Sequence, residues 1–196
     1  MALSAIALCS RALLRLGARS IASFDEGTAE AEVCANLYPV ARDALLSAHS
    51  WNFAIGQARL ARLSAVPVAD FSHAFQLPGD FLRVLSAGGG GRGRGLRYRI
   101  HERRLHANSE SVTLTYIFRP DESTFPPFFD QALIHRLAAD FCLPLTESTS
   151  RAELLEKIAD ESWRRARLID AQEDTPRAIE DFALIRAHGG GAGPAA

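Results

Sequence analysis

The apolar period changes once, abruptly, near residue 50, and that change limits what the whole chain can fold into. The stretch Thr28–Phe53 reads TAEAEVCANLYPVARDALLSAHSWNF. Ala29, Val33, Leu37, Val40/Ala41, Ala44/Leu45 and Ala48 recur in steps of three and four, which places them on one helical stripe. Glu30, Glu32, Asn36, Arg42 and Asp43 fall mostly on the opposite side. Gly27 precedes the helix, Thr28 caps it, and the two glutamates suit the positive end of its dipole. Pro39 lies inside the pattern, so the expectation is one helix kinked near Ala35–Pro39 rather than two helices. From Trp51 onward, Trp51, Phe53 and Ile55 alternate with Asn52, Ala54 and Gly56, the period of a strand with one aromatic face. A long helix that feeds a strand implies a helical layer packed on a small sheet.

The flanking segments extend this plan. Leu3–Leu16 reads as a helix with Leu3, Ile6, Ala7, Leu13 and Leu14 inward and Gly17 as its left-handed stop. Residues 1–24 carry three arginines and no acid, which also fits a mitochondrial transit peptide; the reading adopted is the first helix of the fold. It pairs with the second helix as an antiparallel hairpin. Short strands follow at His73–Leu77, Phe81–Ser86, Leu96–Ile100, Arg103–Ala107 and Val112–Phe118. In the last, Val112, Leu114, Tyr116 and Phe118 share one face, with Thr113, Thr115 and Ile117 on the other. Ala87–Gly95 (AGGGGRGRG) reads as a mobile hairpin or loop tip. Pro126 and Pro127 open a third helix that Pro144 ends, and Ser150 with Glu153 forms a capping box for a fourth. The fold class expected is therefore α+β, mainly helical: a four-helix bundle with helices at about 3–17, 28–50, 126–143 and 150–171. A β-rich insertion (51–120) lies between helices 2 and 3, and an extended C-terminal tail (173–196) follows.

Composition narrows the function classes. With 196 residues and 47% hydrophobic content the chain can bury a real core. Its net charge of −1 argues against a polycation built for nucleic acid. Cys9, Cys34 and Cys142 are odd in number and unclustered, which reads as reduced, core-filling thiols. No run reaches the length of a membrane span. Gly88–Gly93 matches G-x-G-x-x-G in form, but a strand pattern follows where a phosphate-binding helix N-terminus would be needed. His101 and His106 lack further metal ligands at suitable spacing, and Asp121 and Glu122 read as turn residues, not an acid–base pair. No catalytic residue, metal site or cofactor is expected, and the chain reads as a non-enzyme. Arg83–Arg104 holds seven arginines and one glutamate. This stretch suits either a neighbouring protein or, as the alternative function, nucleic acid bound by the arginine-rich hairpin 92–104.

Four segments carry a family resemblance. They are ARDALLSAHSWNFA (41–54), LARL (60–63), FQLPGDFLRV (75–84) and TYIFRP (115–120). Together they resemble phage head–tail connector (adaptor) proteins of the tail-tubular-protein-A type, including the related adaptors of phage-derived gene transfer agents. The resemblance covers about 2–171, and it implies an adaptor domain over 1–172 with a partner-docking tail over 173–196. It further implies a structural protein that forms a homo-oligomeric ring, typically of twelve copies, between the portal protein and the next neck or tail (stopper) component. DNA would pass non-specifically through the lumen, and the chain would reside in the particle neck after synthesis in the bacterial cytoplasm. In such adaptors the tail docks on the portal; here Ile179, Phe182, Leu184, Ile185 and Arg186 would be its anchors. Arg92, Arg94, Arg97, Arg99, Arg103 and Arg104 would form a projection that meets a neighbouring subunit, the next ring or DNA.

Overall fold

Residues 3–173 are the part of the chain that the computed structural model describes. They form, in order, helices α1 (Ala5–Leu16) and α2 (Ala29–Ala48), strands β1 (Ile55–Arg59), β2 (His73–Gln76), β3 (Phe81–Gly88), β4 (Tyr98–His101), β5 (Arg104–Ala107) and β6 (Thr113–Phe118), then helices α3 (Pro127–Thr146) and α4 (Thr149–Asp170). Capping chemistry sets the first two helices. The Ser4 hydroxyl accepts from the Ala7 N–H and Gly17 stops α1 at φ 70°. The Thr28 hydroxyl accepts from the Ala31 N–H, and α2 runs unbroken through Pro39.

Helix α3 is the hub. It buries Phe129, Leu133, Leu137 and Phe141 on one line and Ile134, Ala138 and Cys142 beside it, so it is apolar nearly all round. Helices α1, α2 and α4 each pack on α3, while α1 and α2 touch each other little. The expected antiparallel pairing of the first two helices is therefore weak. The strands form two antiparallel three-stranded sheets, ordered β1-β6-β3 and β2-β5-β4. Strand β6 divides its faces as its alternation foretold. Ile117 enters the helical core, and Leu114 and Tyr116 enter a second core with Phe75, Leu77 and Leu105 between the sheets. The first sheet is thus the middle of three layers.

This corrects the expected mainly helical architecture, a four-helix bundle carrying a β-rich insertion. The helices are split by the strand region and form no simple bundle. The physical reason lies in the strands. Ile117, with Leu82 and Leu85 of β3 packed alongside, completes the helical core, so the sheet replaces a helix as one wall. The tail part of the same expectation concerns residues that, from 174 on, lie outside those described.

Local boundaries also moved. Trp51–Ala54 is not strand: Asn52–Ala54 is a 3₁₀ turn, and only Ile55 starts β1. Trp51 is fully buried, donates its indole N–H to the Leu45 carbonyl at 3.0 Å, and stacks edge-on against Phe129 at 5.2 Å. Aromatic packing thus overrides the period-2 signal. Pro144 does not end α3, which continues to Thr146 and stops at Glu147 with φ 53°. Helix α4 then starts two residues early, capped by Ser148 rather than Ser150. In α1 the inward face is Leu8, Cys9, Ala12, Leu13 and Leu16, while Leu14 is exposed.

Candidate interaction surfaces

The arginine-rich segment lies on the sheet farther from the helices. Its start is not a mobile tip. The Ser86 hydroxyl donates to the Gly93 carbonyl at 2.7 Å, and the Leu96 N–H donates to the Ala87 carbonyl at 3.0 Å. A Cβ on Gly88 would stand 2.0 Å from the Arg92 carbonyl oxygen, so only glycine fits there. Strands β3 and β4 belong to different sheets, so Gly89–Gly95 is a pinned crossing rather than the hairpin expected at 87–95. The hairpin proper is β4–β5. Its two turn residues, Glu102 and Arg103, both have positive φ (48° and 57°), a geometry that normally selects Asn-Gly. The Gly88–Gly93 motif runs into strand β4 with no helix after it.

Arg92, Arg94, Arg97, Arg99, Arg103 and Arg104 are all exposed. Arg99 stands 3.8 Å from Asp70, the one ion pair that any of the six makes among the described residues. Arg92 and Arg94 sit on the crossing, Arg97 and Arg99 at β4, and Arg103 and Arg104 at the turn. They are thus spread over the crossing, β4 and the β4–β5 turn, and five of the six have no ion partner among the described residues. His101 and His106 have ring centroids 5.6 Å apart, and no group of three metal-ligating side chains occurs among the described residues.

The second surface is a groove that the sequence reading placed in the core. Helix α2 carries two apolar stripes one residue apart. Ala31, Cys34, Tyr38, Ala41 and Leu45 or Leu46 face inward. Leu37, Val40, Ala44 and Ala48 instead line an open groove of about 640 Å³. Its other wall is Ala159, Asp160 and Trp163 of α4, and Ala132, Arg136 and Asp140 of α3 form its floor. Val40 is 67% exposed, so this stripe is open to solvent. Arg136 bonds Asp140 and also Glu156 at 2.6 Å, so the floor's charge is internally paired. The signal for the groove was present as a second run of small residues, but periodicity alone does not say which run is buried.

Several polar groups are structural. Glu122 accepts from Tyr38 and Arg42, both at 2.9 Å, and Asp121 caps a 3₁₀ turn, as expected of turn residues. Burial pushes the Asp43 carboxyl up, but hydrogen bonds from Arg119 and Arg42 outweigh it and hold the group below the usual range. Asp170 is 1% exposed at the end of α4 and accepts the Asn52 N–H at 3.0 Å, while its carbonyl accepts from the Asn52 amide at 2.8 Å. His49 lies 3.4 Å from the same carboxylate. These contacts join the C-terminal ends of α2 and α4.

Ile179, Phe182, Leu184, Ile185 and Arg186, the expected portal-docking anchors, lie outside the described residues. Among those described, no helix is long and apolar enough to cross a membrane. No protein-family model matches the chain, and no curated protein matches it in sequence.

Proposed function

We propose that this chain is a structural head–tail adaptor of a phage or phage-like particle. Copies form a ring between the portal and the next neck component, and DNA passes through the opening. The reading rests on the four resembling segments, and one structural observation carries it further. Six exposed arginines lie on a pinned loop and a hairpin, with one ion partner among them in the described residues. Held by a folded scaffold and left uncompensated, such charges favour a partner outside the subunit. In this role the arginine face meets an acidic neighbour, and residues 176–196 engage the portal.

The test is reconstitution. The purified chain mixed with its portal should give a ring complex visible by electron microscopy and mass photometry, and a chain truncated after Glu173 should not join it. Normal joining by the truncated chain would rule out the docking role of the tail.

A second reading uses the same six arginines as a nucleic-acid surface. Strong duplex binding by a monomer, weakening with salt at a log–log slope of about −5, would favour it. Weak, shallow binding together with ring formation would favour the adaptor.

A further inference from the structure

The groove between α2 and α4 has the length of a short helix. Along α2 it runs from Leu37 to Ala48, which at ~1.5 Å per residue is about 16 Å. Its walls are cut back to alanine at Ala41, Ala44, Ala48 and Ala159, with Ala132 beneath, and small residues let a helix backbone approach closely. Leu37, Val40 and Trp163 supply the apolar surface, while Asp140 and Asp160 are its acids.

We infer that residues 178–186 of the same chain occupy this groove in the free subunit. Three observations select that occupant. The first is position. The Asp170 contacts with Asn52 and His49 fix the end of α4 beside the end of α2, so the chain leaves at the Ala48 mouth of the groove. The second is reach. Four residues lie between Glu173 and Ala178, and the five steps at ~3.4 Å each span about 17 Å, enough to turn back into that mouth. The third is pattern. Ala178, Ile179, Phe182 and Ile185 recur in helical steps, with Glu180 and Asp181 on the other side. Arg177 and Arg186 flank the run, and the groove carries two aspartates, of which Asp140 is already paired with Arg136. Nine helical residues occupy about 13 Å, so the segment fits the groove lengthwise. Tethering adds an effective concentration in the millimolar range, which favours the subunit's own tail over a second copy.

The inference does not require the adaptor role. If that role holds, the portal must draw the same residues out of the groove, and recruitment becomes an exchange of one apolar partner for another.

Trp163 reports on the site directly, because the only other tryptophan, Trp51, is fully buried. Acrylamide quenching should be compared for the intact chain, a chain truncated after Glu173, and Phe182→Ser in the intact chain. Quenching of Trp163 should be at least twofold greater in the last two, at unchanged far-UV circular dichroism and independent of protein concentration. A peptide spanning 176–187 added to the truncated chain should restore the protection. Ala44→Arg, at an exposed groove position, should mimic truncation without unfolding the protein. Equal quenching in intact and truncated chains would overturn the inference. Protection that appears only as concentration rises, with a doubled mass by light scattering, would overturn it in favour of a second copy's tail.

Discussion

His135 is 8% exposed, and neither of its ring nitrogens has a hydrogen-bond partner among the described residues. Burial, with Arg15 adding to it, holds the ring's pKa below the ordinary histidine value. The folded state therefore binds the proton less readily than the unfolded chain does. Stability from this group is complete above the ordinary value and falls as pH drops below it toward the folded value. His135→Leu should stabilise the protein by about 1 kcal/mol at pH 8 by removing an unsatisfied buried group. The gain should be larger at pH 5.5, read from urea denaturation at both values. Asp130 has the opposite sign. Burial raises its carboxyl to about 6. Its contribution is fullest below the unfolded value of 3.8 and is lost as pH rises through about 6. Asp130→Asn should therefore stabilise the chain at pH 7.5, by about 1 kcal/mol after allowance for solvent screening, and do little at pH 3.5. Neither residue could be singled out from the sequence, because both occupy ordinary helical positions. Only packing shows that Asp130 Oδ1 and both ring nitrogens of His135 are buried without a hydrogen-bond partner among the described residues.

The elements differ in how plainly the residues announce them. Helices α1 and α2 were legible because the Gly17 stop and the Thr28 cap act within a few residues. Strand β6 was legible because its alternation matches two different cores, one on each face. The Trp51–Ala54 turn was not, because aromatic alternation there serves a cluster with Phe129 of α3 and with Phe125 just before it, both far along the chain. The split of α2 into a buried and an open stripe was hidden for the same reason: α4, far along the chain, decides it. Trp51→Ala should cost about 3–5 kcal/mol, because it empties a fully buried site and frees the Leu45 carbonyl. Thermal or urea unfolding followed by circular dichroism will measure it. At the β4–β5 turn, replacing Glu102-Arg103 by Asn-Gly should stabilise the hairpin by roughly 0.5–1 kcal/mol, since both positions have positive φ. If Arg103 is a contact residue, the same change should weaken partner binding while raising the melting temperature. A gain in both would remove Arg103 from the interface.

At the scale of the molecule, the three layers of described residues leave two surfaces uncovered among themselves, a basic face on the outer sheet and its crossing, and an apolar groove on the helical layer. The layers themselves were only half legible. Counting helices and strands was possible from period and caps, but the sheet's place as a wall of the helical core depends on Ile117 meeting partners far along the chain. Replacing Arg97, Arg99, Arg103 and Arg104 by glutamine should leave unfolding unchanged, because these side chains are exposed, and should slow ring or portal assembly at low salt. Unaltered assembly kinetics would place the contact elsewhere. The clamp of Asn52 on Asp170 has a mechanical meaning as well. A load pulling on the tail enters the subunit at the end of α4, where two hydrogen bonds hand it sideways to the aromatic junction at Trp51. Traction that would otherwise unzip the last helix turn by turn is instead shared with a fully buried aromatic side chain, so the subunit is anchored against the direction in which its own terminus would be tugged.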